Sequence, residues 1–160
     1  MSYQNIDALI KKQVGSFSSI EQNARLSAQN LLNALEGRLF PQGAPSTTPR
    51  TLFVLDSQGD SWNEVPSTQH LMSLHGRVLI FAVGVRFFQQ AQEIAKVILP
   101  VILTAHGGDA DFKLGASFQI ASASNGGDYS QVAAHAENLI GQAAASWSYD
   151  RRGIETIIAK

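Results

Sequence analysis

One imidazole and two carboxylates fall within a single short run, His106-Gly107-Gly108-Asp109-Ala110-Asp111. Imidazole nitrogen and carboxylate oxygen suit divalent cations, and a Gly-rich turn can fold such ligands back on one another. The spacing matches no established metal pattern. It is not H-E-x-x-H, and a calcium loop needs more acidic ligands and a closing Glu. A polar turn is the simpler reading. The alternative is a small-ligand or metal-dependent enzyme built on His106, Asp109 and Asp111.

The rest of the chain offers less chemistry. His135 and Glu137 lie two apart and would not share a helix face. Serines are plentiful, but none sits in a G-x-S-x-G elbow. Val83-Gly84-Val85 carries a single glycine, so neither a dinucleotide fingerprint nor a P-loop is present. The chain has no cysteine, which removes disulfides, thiolate nucleophiles and zinc–cysteine sites. No cofactor is implied. Arg151 and Arg152, beside Asp150, could clamp an anion or a partner's carboxylate, although such a turn is usually solvated.

The elements that must position these groups are organised around Arg77 to Ala105, the most hydrophobic stretch of the sequence. Val78 to Val85 is uncharged and β-branched, which predicts a central strand covered on both faces. Gly84 within it would admit another backbone. Ala91, Ile94, Ala95, Ile98 and Leu99 recur at helical spacing, which predicts a helix that Pro100 ends or kinks. Val101 to Ala105 then reads as a short strand or a second half-helix. Arg86, Glu93 and Lys96 interrupt the apolar run, so it is not a membrane span.

Upstream, Ile6, Leu9, Ile10 and Val14 predict a short amphipathic helix that Gly15 ends. Ser18 and Glu21 have capping-box spacing for a second helix. Its stripe is Ile20, Ala24, Ala28, Leu31, Leu35 and Leu39, and Gln22, Gln29 and Asn33 lie on its polar side. Such a stripe covers the chain's own sheet in most proteins and a partner in some. Residues 40–49 hold three prolines and read as a linker. Arg50 to Asp56 reads as a strand, and 57–67 as a turn-rich excursion carrying Trp62, a contact residue if exposed. Thr68 to Gly76 suits one helical turn. Phe112 to Ala121 alternates as a strand, Tyr129 to Ala143 has helical spacing with Asp128 placed to cap it, and Gly153 to Ala159 reads as a final strand.

A chain of 160 residues with 44% apolar content makes one domain with a real core. The expected fold is α+β: a mixed or antiparallel sheet with amphipathic helices packed on it. Residues 1–39 form a helical segment, 40–49 a linker and 50–160 the body. A net charge of −1 argues against capture of nucleic acid or an anionic membrane. Charged residues make up 16%, against about 25% in a typical domain. Interface cores are depleted in Lys, Glu and Asp, so a polar, weakly charged surface points to contact with other subunits.

The expected function is therefore a non-enzymatic structural or assembly protein that forms a homo-oligomer, with itself and other assembly proteins as partners. Small ring proteins of phage tails and necks are the type of virion component meant, by analogy of architecture alone. Trp62, Arg151, Arg152, Gln22, Gln29 and Asn33 are the interface candidates. The first twelve residues lack a secretory pattern, so the expected location is the cytoplasm or a particle assembled there.

Overall fold

The computed structural model describes residues 2–106, 109–116, 120–124, 128–147 and 155–159. At its centre two long strands, β4 (Val78–Gln89) and β5 (Gln92–His106), pair antiparallel from Val78↔Thr104 to Gln89↔Gln92. The helix expected over Ala91 to Leu99 is thus the first half of a 15-residue strand. The turn between the strands is Gln90-Ala91, both residues at positive φ (51° and 63°), the backbone of a type I′ hairpin. Pro100 neither ends nor kinks a helix. Ile98 O accepts from Ala159 N–H and Pro100 O from Gly115 N–H, each at 2.8 Å. At these alternate residues the backbone of β5 faces away from β4, so the N–H that proline lacks costs no bond in the central ladder.

The sheet grows from this pair in both directions. β1 (Leu52–Gln58) pairs antiparallel with β4, and β2 (Ser61–Val65) closes a hairpin on β1. The expected excursion at 57–67 is therefore largely strand. A 3-10 turn (Thr68–His70) and the two-residue β3 (Leu74–His75) return the chain to β4. The buried Asp56 carboxylate fixes this return by accepting from the Met72 and Ser73 N–H groups, both at 3.2 Å. On the far side, β6 (Asp109–Leu114) pairs with β5, and β7 (Ile120–Ser124) pairs with β6. The strand expected over Phe112 to Ala121 is split by a turn at Gly115, whose φ is +61°. β8 (Glu155–Ile158) lies parallel to Ala95–Ile98 of β5. The order is β2-β1-β4-β5-β6-β7, with β3 beside β4 and β8 beside β5.

Two helices cover one face. α1 (Tyr3–Leu39) is continuous through 37 residues. Gly15 does not end it, and Ser18 and Glu21 lie inside it rather than at a cap. One glycine costs a helix about 1 kcal/mol, less than stopping and renucleating would. The cap is Ser2, whose Oγ accepts the Asn5 N–H at 3.3 Å. Before α2 (Ser130–Ala145), Asp128 Oδ1 accepts the Ser130 N–H at 2.8 Å. Ala24, Ala28, Leu31 and Leu35 of α1, with Val132, Ala136 and Ile140 of α2, pack on Phe81, Val83, Val97, Leu99 and Leu103 of the sheet. Each fully buried Leu, Val or Phe among them contributes roughly 1.5–3 kcal/mol, and each Ala less. Arg38 Nε donates to Glu137 Oε2 at 2.5 Å and ties the helices together.

The opposite face of the sheet holds a smaller cluster of Phe53, Leu55, Ala82 and Ile98, with Trp62 packed against it. Gly84 faces the Phe53 ring, so the close approach it permits is by a side chain rather than a backbone. Arg86, 6% exposed, lies over that ring with its guanidinium carbon 3.8 Å from the centroid, paired to Glu64 and to Glu93. No helix among the described residues is long and apolar enough to cross a membrane.

Candidate functional site

α1 is longer than the sheet it covers. From Ser2 to Ser19 nearly every residue is exposed, and burial begins only at Ala24. At 1.5 Å per residue this leaves about 25 Å of helix beyond the body. The overhang is amphipathic. Tyr3, Ile6, Leu9, Ile10, Val14 and Phe17 are between 46% and 80% exposed, although each is large and apolar. Its polar side is built of Gln, Asn and Ser, with Asp7 and Lys11 joined by an ion pair of 2.8 Å.

The phase of this stripe is its most informative property. Ile6, Ile10, Val14 and Phe17 stand 18 residues before Ala24, Ala28, Leu32 and Leu35, about five whole turns. The latter four are all buried against the sheet or α2. The overhang therefore presents its apolar side in the same direction as the half of α1 that covers the core. It continues a buried face into a region where, among the described residues, nothing buries it. These residues were not among the interface candidates. The signal was available in the sequence: Val14, Phe17, Ile20 and Ala24 keep steps of three, three and four across Gly15.

The candidates named from sequence are dispersed. Gln29 Nε2 donates to Asn33 Oδ1 at 2.8 Å, and Thr68 Oγ1 donates to Gln29 Oε1 at 2.9 Å. Both side chains line a polar cleft of about 460 Å³ between α1, the proline-rich segment and the β1–β2 hairpin. They are committed to contacts within the chain. Gln22 is exposed on α1. Trp62 is half-buried on β2, opposite Ser57. Arg151 and Arg152 lie outside the described residues.

The chemical candidate converges only in part. His106 Nε2 stands 3.0 Å from Asp111 Oδ2, and Ser122 Oγ donates to Asp111 Oδ1 at 2.5 Å. The aspartate thus stands between serine and histidine. A nucleophilic triad needs the histidine there, taking the serine's proton while the carboxylate orients the ring. Here Ser122 has no imidazole to activate it. His106 and Asp111 stand in the open, 53% and 37% exposed. Among the described residues no group of three His, Cys, Asp or Glu side chains could hold a metal ion.

A further recess, about 780 Å³, is a groove between the end of α1, β4 and α2. Leu39, Phe40, Phe87, Ile140 and Ala144 line it, and the Arg38–Glu137 pair stands at its rim. It brings no nucleophile, base or metal ligand set together. No protein-family model, curated protein or solved structure matches the chain.

Proposed function

We propose that the protein is a non-enzymatic assembly protein that self-associates through the overhanging part of α1. The observation that carries this reading is the apolar stripe from Tyr3 to Phe17, uncovered along the whole overhang and in phase with the core face of the same helix. An isolated helical stretch of this length is marginal in water, and most helical stability comes from packing its apolar face. A partner surface would supply that packing.

A second copy of the chain is the occupant the stripe suits. The six exposed side chains present roughly 600 Å² per chain, so complete burial on both copies would set an upper limit on the order of 1,200 Å², the lower end for a specific interface. Helices that lie on anionic membranes carry dense Lys and Arg on the polar side. This overhang carries only Lys11 and Lys12.

Light scattering across a concentration range tests the proposal. The unmodified chain should give a defined mass above 17.2 kDa. Ile10→Asp with Val14→Asp should shift it to the monomer, with an unchanged circular dichroism melt of the body. A monomer at every concentration for the unmodified chain would sink the reading.

A further inference from the structure

We infer that two copies pair through their overhangs antiparallel, about a two-fold axis at Ile10, into a closed dimer. The inference rests on the self-association proposed above and adds its geometry. Its ground is the shared phase of the two halves of α1. The sheet and α2 lie on the side of α1 to which Ala24, Ala28, Leu31 and Leu35 point. The overhang's stripe points to that same side, so a helix laid along it occupies the space in line with the body.

That placement decides the direction of the second helix. Were it parallel and in register, its residues beyond Ile20 would run into the first copy's sheet, and its own sheet would fall where the first α1 lies. Run antiparallel, the same residues extend past Tyr3, away from the first body. Each body then sits at one end of the paired overhangs, on opposite sides of the pair.

The side chains fit this direction. A two-fold axis at Ile10 sets that residue against its own copy, Tyr3 against Phe17 and Ile6 against Val14, three apolar pairs, while Leu9 falls level with Lys11, whose stem can cover it. Asp7 then falls opposite Gln13, and no like charges meet. Lys12 lies about 140° around the helix from the stripe's centre, at 100° per residue, and stays in solvent. The contact is isologous, the same patch on both chains, and therefore closes at two copies.

Cysteine cross-linking tests the geometry cleanly because the chain has no thiol of its own. Facing helices pack with axes about 8–10 Å apart, which brings facing side chains within reach of one another. Full-length Ile10→Cys should oxidise to a disulfide-linked dimer. Tyr3→Cys alone and Phe17→Cys alone should not, whereas a reduced mixture of the two, reoxidised, should give the mixed dimer.

Light scattering on the unmodified chain should give twice the chain mass. A dimeric mass with self-linking of Tyr3→Cys, or with no linking at Ile10→Cys, would overturn the antiparallel pair and leave self-association standing. A mass above the dimer would overturn the closed pair alone. A monomer at every concentration would overturn both.

Discussion

A methyl group added at Gly84 would lie 2.2 Å from Cζ of Phe53. The two residues sit directly opposite one another on β4 and β1. The aromatic ring fills the space that any other side chain at 84 would need, and Arg86 lies over the ring. Gly84→Ala must therefore displace a buried ring together with the cation above it. The expected loss is about 1–3 kcal/mol, as for other overpacked cores. In a double-mutant cycle, Phe53→Leu should recover part of that loss, because the two sites share one space. Urea denaturation of the four proteins measures it, and additive losses would contradict the argument.

Arg86 supports charge on both sides. Its guanidinium donates to Arg50 O at 2.8 Å and pairs with Glu64 and Glu93. Arg86→Leu removes the cation that Glu64 and Glu93 share, at a cost of about 2–3 kcal/mol, since Glu64 remains partly in water. Arg86→Lys should recover only a fraction of this. A single ammonium cannot span the three acceptors that the planar fork reaches. Denaturation midpoints for the two variants give the comparison.

The tip of the central hairpin is built from residues poorly suited to it. Gln90 and Ala91 both hold positive φ, where a side chain costs about 1 kcal/mol. Ala91→Gly should relieve that cost and raise stability by about 0.5–1 kcal/mol, in spite of glycine's greater freedom in the unfolded chain. A thermal melt that falls instead would show that the turn carries no such strain.

Asp128 links the start of α2 to acidity. Its carboxyl is held below the ordinary aspartate value, chiefly by a hydrogen bond from the Ser130 side chain and then by the Ser130 backbone N–H. A carboxyl whose folded pKa is depressed adds stability that is fully present above the unfolded value, about 3.9. That stability is lost as pH falls through the folded pKa. Carbon NMR of the side chain should show titration below the ordinary value, and Ser130→Ala should raise it. An unshifted titration would remove Asp128 as the acceptor at the start of α2.

Some elements were legible in the sequence and others were hidden for identifiable reasons. α2 and the covered half of α1 follow from their stripes, and β4 from its β-branched run. The first half of β5 reads as a helix because the strand is apolar on both faces. Ile98 serves the smaller cluster while Val97 and Leu99 serve the main core, so no alternation shows. Its turn hid it as well, since Gln90-Ala91 lacks the Asn or Gly that marks a type I′ hairpin. Gly115 lies inside an apparent alternation that continues across the turn.

The candidate site was legible residue by residue but not as a site. Ile6, Leu9, Ile10 and Val14 were visible as an amphipathic segment. That none of the described residues covers them depends on where the sheet ends, and no local spacing records that.

β5 has two successive neighbours on one edge, β8 along Ala95–Ile98 and β6 from Val101 onward. During synthesis these neighbours emerge far apart in time. β6 follows at once, whereas β8 comes about 60 residues later, and such non-local pairing is slow to form. Until then the first half of β5 has no neighbour on that edge. Such an edge invites any extended strand nearby. A nascent chain, or one cut before Glu155, would therefore be the aggregation-prone form of this protein, and the arrival of four residues would end that exposure.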